Sequence, residues 1–529
     1  MPGSWRVLTV PGMRRRLSQY KQRETQKRFA TLLAGKMLGV GAVLAAFQGF
    51  VWLFESPAGA QEKETVAQQL AHQVNAINTM WVLVAAFLVF FMQAGFMALE
   101  AGVARSRETV NVLMECVFDT CLCGILYWAF GFAFQFGVGN GIIGHSYFFL
   151  HGAPVTYDYG GSFDTGVAFL AFFLFQFAFA DTASTITSGA MVGRTSFKGD
   201  IIYSAMVSGF FYPIFGHWVW GPGGWLAGTM GWFHSLSPDT FFRDFAGSTV
   251  VHTVGGVIAL AGAVALGPRI GRKFKRDGGG PMPPHDLTMA TIGAVILWFG
   301  WYGFNPGSTL SGMDFEGIGR VAANTTLAAC AGGLVAVLFV YPRSKKWDLG
   351  ISLNGFLGGL VAITAPCYWV SPGGAVIIGA LAGVVVPLVI DLLEHLRIDD
   401  PIGAVPVHLG CGIWGTVAVG LFATGDFGVD GLFYGGGADQ LVSQLIGSLA
   451  CVVAVGGLSF VVMFLIKAIP GEWGLRVSQD GELEGLDIHE HGLPAYHVEF
   501  GMGMTYVAPS GLPGRPSFLS PSGRDESNV

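Results

Sequence analysis

The chain has 529 residues, of which 52% are hydrophobic and 12% are charged, and its mean hydropathy is +0.54. A soluble domain carries about 25% charged residues, so this composition excludes a soluble enzyme or a soluble binding module. The formal net charge of −6 indicates no particular partner in so apolar a chain, and we expect no nucleic-acid partner.

The first sixty residues have the order of properties of a secretory signal. Three arginines at 14–16 begin a basic stretch, an apolar run follows over 37–54, and residues 58–60 (Ala-Gly-Ala) provide a small-x-small cleavage site. The basic stretch is long for a signal, so an uncleaved first helix is the alternative. We predict cleavage after Ala60, which would place the mature N-terminus outside.

Eleven apolar runs follow, with the length of about 20 residues that a helix needs to cross a hydrocarbon layer of about 30 Å. They lie at 78–101, 109–138, 164–192, 199–220, 249–267, 286–305, 319–341, 349–366, 373–393, 404–424 and 441–467. Lys and Arg are concentrated in alternate loops, beginning with Arg105 and Arg107, whereas the intervening loops carry only Arg243 and Arg320. Because translocation disfavours basic residues, the basic loops are predicted to be cytoplasmic.

These patterns predict an all-α polytopic membrane protein with its N-terminus outside and its C-terminus in the cytoplasm. Residues 61–467 are assigned to the transmembrane domain and residues 468–529 to a cytoplasmic tail. The end of the tail is rich in Pro, Ser and Gly, so we predict disorder after about residue 508.

An internal repeat relates the fifth and tenth spans. Asp244 lies eight residues before His252, and Asp400 lies eight residues before His408. The fifth span runs inward and the tenth outward, so two five-helix halves would be related by a two-fold axis in the membrane plane, with one extra helix. Inverted repeats of this kind place the transport site near the bilayer midplane.

His252 and His408 are therefore the central candidate residues. Each lies in an apolar helix, where an ionisable side chain is costly and usually faces a cavity or a partner. Two other interpretations are separate core histidines satisfied by neighbouring groups, and axial ligands of a haem. The symmetric placement favours a mutual pair that lines a pore. Two neutral imidazoles can share one hydrogen bond and pass a proton by exchanging tautomers.

Aromatic residues near the outer ends of spans three, four and six form a second candidate group. They are Phe175, Phe179, Trp220, Trp301 and Phe304, with the hydroxyl of Ser308 beside them. Membrane helices are rich in Phe, and Trp is common at interfaces, so a purely structural role is the competing interpretation. Aromatic faces can nevertheless hold a desolvated cation with roughly 2 kcal/mol.

The acidic residues have different predicted roles. Asp244 and Asp400 each stand at the start of a helix, where a carboxylate accepts backbone N–H bonds and complements the helix dipole, so we interpret both as structural caps. Asp181 lies within span three, and we expect it to pack against Thr or Ser outside the pore. The seven cysteines show no metal-ligand spacing, and we expect no metal and no cofactor.

Several of these segments resemble one family. Residues 244–252 (DFAGSTVVH) resemble the signature of the ammonium transporters, the Amt/Mep/Rh superfamily, and residues 301–308 (WYGFNPGS) resemble its plant-type Amt branch. Residues 399–412, 485–487 and 491–492 also match, and the resemblance covers about residues 75–497.

The resemblance implies an ammonium transporter, not an enzyme, that forms homotrimers in the lipid of a plasma or inner membrane with one pore in each subunit. It also implies a PII-type regulatory protein at the cytoplasmic face. The implied outer recruitment site is Phe179, Trp220, Ser308 and the carbonyl of Ala246. The implied gate is Phe179 with Phe304, the implied proton relay is His252 with His408, and Asp244 is the implied structural acid. We assign structural roles to Asp400 and Trp301 as well. Full burial lowers the pKa of a Lys-like cation by about 3–5, so ammonium should lose its proton on entering a dry pore.

Two residues depart from the family pattern. Family members usually have an acidic residue before the Arg that ends span three, whereas this chain has Gly193 before Arg194. Asp181 replaces a small neutral residue. We expect these departures to affect cytoplasmic packing or regulation rather than the choice of substrate.

Three alternatives to a transporter are considered. An ammonium sensor would bind the cation and conduct poorly, although the short end of this tail is not expected to fold a signalling domain. A haem protein would use His252 and His408 as ligands, but the chain lacks further paired histidines. A related channel for carbon dioxide would share the fold.

Overall fold

The computed structural model describes residues 65–161, 164–227 and 240–496, together with the isolated positions 27, 31 and 38. In this part the chain forms helices joined by loops, with isolated β-bridges as the only extended pairing, as the all-α class predicts. The predicted signal, apart from those three positions, and the tail beyond residue 496, with its predicted disorder, lie outside the described residues.

Each predicted span coincides with a helical stretch of the described chain. In chain order these are α1 Val66–Val103, α2 Ser106–Phe136, α3 Phe169–Gly189, α4 197–220, α5 Ser248–Leu266, α6 Leu287–Thr309, α7 Phe315–Ser344, α8 Leu349–Thr364, α9 Pro372–Leu396, α10 Val405–Phe422 and α11 Asp439–Ala468. Nine of these described stretches are long and apolar enough on their own to cross a membrane. The other two are α8, which has 16 residues, and α4, which begins with the charged residues Lys198 and Asp200.

The loops that follow odd-numbered helices meet at one end of the bundle. The Arg194 guanidinium after α3 donates to the Asp399 carbonyl after α9 at 2.6 Å, and Arg269 after α5 donates to the Asp399 carboxylate at 2.8 and 3.0 Å. Burial would raise the pKa of Asp399, but the hydrogen bonds from Arg269 and the nearby charge of Arg194 hold that pKa below its ordinary value. We call this end of the bundle, with its arginine-rich loops, the basic face.

The loops that follow even-numbered helices meet at the opposite face. Trp225 after α4 donates its backbone N–H to the Gly141 carbonyl after α2 at 3.0 Å. Arg320, at the start of α7, forms an ion pair with Asp426 after α10 at 3.0 Å. Successive helices therefore alternate in direction, as the alternation of charge along the sequence predicts.

The described part of the tail packs on the basic face. It forms two short helices, Gln479–Glu484 and Leu486–His491. The Asp487 carboxylate accepts the backbone N–H of Asn111 on α2 at 2.9 Å, and the His491 ring lies 2.9 Å from the Asn111 side-chain oxygen. The tail segment is thereby connected directly to α2.

Close backbone contact joins α1 to α6, the first helices of the two halves. A Cβ added at Gly95 would lie 2.9 Å from the Gly293 carbonyl oxygen, and one added at Gly293 would lie 2.3 Å from the backbone nitrogen of Leu99. Lipid provides no hydrophobic force between helices, so membrane bundles depend on small residues that let backbones approach. Gly95 and Gly293 therefore allow the backbones of the two halves to come into close contact.

The start of α5 is organised around Asp244. Its carboxylate accepts the backbone N–H groups of Gly247, Thr249 and Val250 at 2.8 to 2.9 Å. Gly247 has a φ of +114°, which a residue with a Cβ rarely adopts. The helix then opens as a π-helical turn, Ser248–Thr253, which contains His252.

The start of α10 repeats this arrangement in the opposite direction. The Asp400 carboxylate accepts the N–H groups of Gly403, Ala404 and Val405 at 2.8 to 3.1 Å, and Gly403 has a φ of +85°. A π-helical turn, Val405–Gly410, follows and contains His408. Because α5 begins at the opposite face and α10 at the basic face, the two units are inverted copies, as the repeat in the sequence predicts.

The departure at Gly193 has a structural reason. Gly193 has a φ of +83°, and a Cβ there would lie 2.7 Å from both carboxylate oxygens of Glu108. Glu108 is buried and forms an ion pair with Arg105, whose guanidinium also donates to the Gly193 carbonyl at 3.2 Å. The carboxylate of Glu108 thus occupies the space that a side chain at position 193 would need.

Gly193→Ala should therefore lower the Tm of the purified protein in detergent more than Gly278→Ala does. Gly278 also has a positive φ, of +78°, but a Cβ there would meet nothing within 4 Å. The two variants share the backbone penalty of about 1–3 kcal/mol, so the excess for Gly193→Ala isolates the clash with Glu108. Equal Tm values for the two variants would contradict this account.

Asp244→Ala should lower the free energy of unfolding by about 3 kcal/mol or more, because it leaves three buried N–H groups without an acceptor, each costing roughly 1–3 kcal/mol. Asp348→Ala is the matched control, since Asp348 caps α8 at an exposed end with one hydrogen bond to Ile351. Thermal denaturation in detergent measures both. A Tm for Asp244→Ala as high as that of Asp348→Ala would show that the cap is dispensable.

Candidate functional site

A cavity opens on the opposite face between α3, the end of α4, the segment before α5 and the end of α6. Its lining is mainly aromatic, with two polar side chains. The residues that line it are Tyr159, Phe175, Gln176, Phe179, Trp220, Phe245, Ser308 and Leu310. We call this the outer cavity.

Two predicted recruitment residues are held in place at the outer cavity by hydrogen bonds. The Trp220 indole donates to the Asp244 carbonyl at 2.8 Å, which connects the indole to the cap of α5. The Ser308 hydroxyl donates to the Phe304 carbonyl at 2.8 Å, so its oxygen lone pairs are available to a ligand in the cavity. The cavity therefore presents aromatic faces beside a hydroxyl acceptor.

A stacked pair of phenyl rings lies at the floor of the outer cavity, where Phe179 belongs to the lining and Phe304 packs against it. Phe179 and Phe304 stack with ring centroids 4.0 Å apart and an interplanar angle of 19°. Trp220 contacts Phe179 edge-on, with centroids 6.2 Å apart. Both phenyl side chains are buried, so they separate the cavity from what lies below.

The two predicted histidines lie together beneath the phenyl pair. The Nδ1 atoms of His252 and His408 are 3.2 Å apart, so one ring donates and the other accepts, depending on the tautomer. His252 stacks against Phe304 and against Trp301, with centroids 5.5 and 5.2 Å apart. Its Nε2 is buried and has no hydrogen-bond partner within the described chain.

The Trp301 indole forms a fixed wall beside His252. It donates to the Thr364 hydroxyl at 2.9 Å, and Thr364 donates to the Leu360 carbonyl at 2.7 Å. These bonds hold the indole parallel to the imidazole within 22°. The ring planes of His252 and Trp301 are therefore set by α8 as well as by α5 and α6.

A second cavity lies on the basic-face side of the histidines. It is lined by Phe96, Leu99, Glu100, Ile186, Leu297, Trp301, Asn354, Leu357, Ile402, Gly403, Ala404, Val407 and His408. We call it the inner cavity, and we call the path from the outer cavity through the phenyl and histidine pairs to the inner cavity the pore.

Most of the predicted site residues come together along this path. Ala246 is buried but is not among the described residues that line the outer cavity, where its neighbour Phe245 is. Sequence reasoning missed Gln176, although a polar residue one helical turn before Phe179 on an apolar helix was a usable signal. It also missed Glu100, a carboxyl group near the end of an apolar run.

Asp181 lines neither cavity, in keeping with its predicted place outside the pore. It is fully buried, and Gln93 and Thr120 lie beside its carboxyl group. Its backbone carbonyl accepts the Thr185 hydroxyl at 3.1 Å.

The geometry of the histidines does not suit a haem. Axial ligands require an iron between two imidazole nitrogens, and here the two Nδ1 atoms are already at hydrogen-bond distance. In the described part of the chain, no group of three or more His, Cys, Asp or Glu side chains could hold a metal ion. The arrangement instead suits a small, partly polar solute that can lose or gain a proton.

Comparison with known proteins agrees with this geometry. The model of the Ammonium Transporter Family matches residues 80–496. The Archaeoglobus fulgidus protein named ammonium transporter Amt2 is 42% identical over 430 residues, which cover 79% of this chain and 88% of that protein. The tomato (Solanum lycopersicum) protein named ammonium transporter 1 member 3 is 36% identical over 457 residues, covering 80% of this chain and 94% of that protein.

Solved structures show the same architecture. A chain described as a sensor Amt protein is similar with a TM-score of 0.71 and 34% identity, over 79% of this chain and 99% of that one. Saccharomyces cerevisiae Mep2 is similar with a TM-score of 0.68 and 27% identity, over 81% of this chain and 93% of that one. With the family model covering most of the chain and relatives above 30% identity along nearly their whole length, the chain belongs to the ammonium transporter family.

Proposed function

We propose that this chain transports ammonium by taking up the cation at the outer cavity, removing its proton at the phenyl pair, and moving ammonia and the proton separately through the pore. The observation that carries this proposal is the contact of His252 with His408 directly below the stacked rings of Phe179 and Phe304. That arrangement supports a proton path inside an otherwise apolar channel.

The outer cavity suits recruitment of a small cation. The faces of Phe179 and Trp220 can hold a cation by about 2 kcal/mol when it is desolvated, and the Ser308 oxygen can accept one of its N–H bonds. Ammonium carries the same charge as a lysine head group and, like it, donates N–H bonds. Neutral solutes without a donor would lack both interactions.

The phenyl pair and the histidines suit separation of the proton from ammonia. Moving a full charge into a dry apolar path is costly, and the group loses its proton instead. Ammonia can pass the rings of Phe179 and Phe304 without that cost. The proton can be taken up by His252 at Nε2 and passed to His408 across the shared Nδ1 hydrogen bond.

The orientation and assembly of the chain are part of the same proposal. The basic face would be cytoplasmic, because loops rich in Lys and Arg are retained on that side. The family resemblance supports a homotrimer with one pore in each subunit. The loop at Gly193, the tail helices and their neighbours would form the surface available to a PII-type regulator.

A sensor is the second candidate function. It is favoured by the similarity to the sensor Amt protein and by the packing of the tail on α2, through which occupancy of the pore could be communicated. A sensor would use the same outer cavity but would not need continuous conduction. The two candidates therefore differ in transport, not in binding.

The main proposal can be tested with electrical currents. Proteoliposomes are adsorbed to a solid-supported membrane, and the current evoked by a jump in ammonium concentration is recorded. The wild-type protein should give a current that depends on protein density. His408→Ala should lower the current by about 100-fold or more, the contribution typical of a positioned proton-transfer group. His285→Ala, which changes a histidine hydrogen-bonded to the Ala104 carbonyl at the basic face, should retain the current.

A wild-type protein that binds ammonium without current would favour the sensor. A current in His408→Ala equal to that of the wild type would overturn the proton relay.

Trp220→Leu should raise the half-saturating ammonium concentration by about 30-fold, the equivalent of losing a cation–π contact of about 2 kcal/mol. Trp218→Leu is the matched control, since Trp218 lies on the same helix and donates to the Ile142 carbonyl instead of lining the outer cavity. Concentration series of the same currents provide the measurement. If the two variants have the same half-saturating ammonium concentration, Trp220 does not take part in recruitment.

A further inference from the structure

The inner cavity holds two ionisable side chains among the residues that line it, and the proposed pathway uses only one of them. The one that the pathway uses is His408, the second member of the histidine pair. The other ionisable side chain is that of Glu100. Glu100 lies near the end of α1, close to the basic face. Its place in the wall of the cavity puts this residue beside the path of anything that leaves His408 toward that face.

Among the residues that the structure describes, the Glu100 carboxyl group is buried without a compensating cation. Glu100 is 1% exposed, and its Oε1 has no hydrogen-bond partner in the same part of the chain. In the described part of the chain no salt bridge involves it, in contrast to Glu108, which pairs with Arg105. The hydroxyl of Ser188 on α3 is the neutral group beside it.

The titratable groups around Glu100 are acids or thiols on neighbouring helices, and a histidine across the cavity. Asp200 on α4 and Glu115 and Cys116 on α2 are close enough to interact with its charge. His408 on α10 shares the cavity. None of these groups is a permanent cation that would hold Glu100 as a carboxylate.

A buried carboxylate without a counter-ion is costly, whereas a protonated carboxyl group or a carboxylate beside a cation is not. Glu100 therefore has two favourable states. It can hold a proton while the inner cavity is empty, and it can hold a cation such as ammonium when one is present. The carboxyl group that would hold either one belongs to a residue of the cavity wall.

We propose that Glu100 re-forms ammonium on the basic-face side of the pore, an inference that rests on the proposed transport function. Ammonia that arrives past His408 takes the proton of the Glu100 carboxyl group, so that an N–H bond forms and the O–H bond breaks. The products are ammonium and the Glu100 carboxylate, which holds the cation until it leaves. The next proton delivered through His252 and His408 restores the carboxyl group.

Glu100→Gln tests this role, because it keeps the shape of the side chain and removes the proton. The ammonium-evoked current on proteoliposomes should fall on the order of tenfold. Removing a sole proton donor would lower the rate by about 10²–10⁴-fold. We expect the smaller effect because water that enters the inner cavity can also supply protons, although slowly. The half-saturating ammonium concentration, set at the outer cavity, should stay within about twofold of the wild-type value. Glu316→Gln, the same change at an exposed position of α7 outside the cavity, should retain the current.

Glu100→Asp provides the test that does not depend on the fold tolerating an amide. This variant keeps a carboxyl group at the position but shortens the side chain, which withdraws the carboxyl group from the cavity. The current should therefore survive, and the pH at which the current is half-maximal should differ from that of the wild type. An unchanged pH profile in Glu100→Asp would overturn the proposal.

The outcomes separate the two proposals. No current from the wild-type protein would sink the proposed function itself. A wild-type current together with an equal current in Glu100→Gln would sink only the role of Glu100. If Glu100→Gln lowers the current and the Tm and also raises the half-saturating ammonium concentration, Glu100 has a structural role. That result would equally overturn the assignment.

Discussion

The hydrogen bond between His252 and His408 joins the two halves of the bundle at the centre of an apolar path. Each imidazole costs free energy to bury, and only a partner with complementary donors and acceptors offsets that cost. A 3.2 Å contact between two Nδ1 atoms requires both backbones to be fixed within a few tenths of an ångström. Much of the surrounding structure can be understood as the means of fixing them.

The two aspartates provide that fixation. Asp244 and Asp400 each hold three backbone N–H groups of the turn that carries the histidine, and a glycine of positive φ after each acid sets the angle at which the helix begins. Each histidine lies in the π-helical turn that follows. His252 and His408 therefore stand at equivalent positions in their helices, each counted from the face at which its helix begins. The same local structure is built twice, in opposite directions.

The sequence predicted the helices and their directions because both follow from one-dimensional quantities, the length of apolar runs and the alternation of Lys and Arg between loops. The pairing of His252 with His408 was predictable for a similar reason, since the Asp-to-His spacing is repeated. The sequence could not show that Glu108 fills the space beside Gly193, because these residues meet only when the start of α2 and the loop after α3 come together. The sequence also could not show that Glu100 is buried in the wall of a cavity. An acid near a helix end can equally face water, and the choice depends on the direction of its side chain in the fold.

The symmetric frame carries an asymmetric set of charges. In the described part of the second half, the buried acids Glu394 and Asp399 pair with Arg272 and Arg269 at the basic face. In the described part of the first half, Glu100, Glu115 and Asp200 lie within the helices without a basic partner. Symmetry thus positions the two histidines equally, while the unpaired carboxyl of Glu100 gives the path a direction, since a proton that leaves His408 reaches an acceptor on the basic-face side. On the opposite side the corresponding places are taken by the aromatic rings of the outer cavity, which can hold a cation but cannot take its proton.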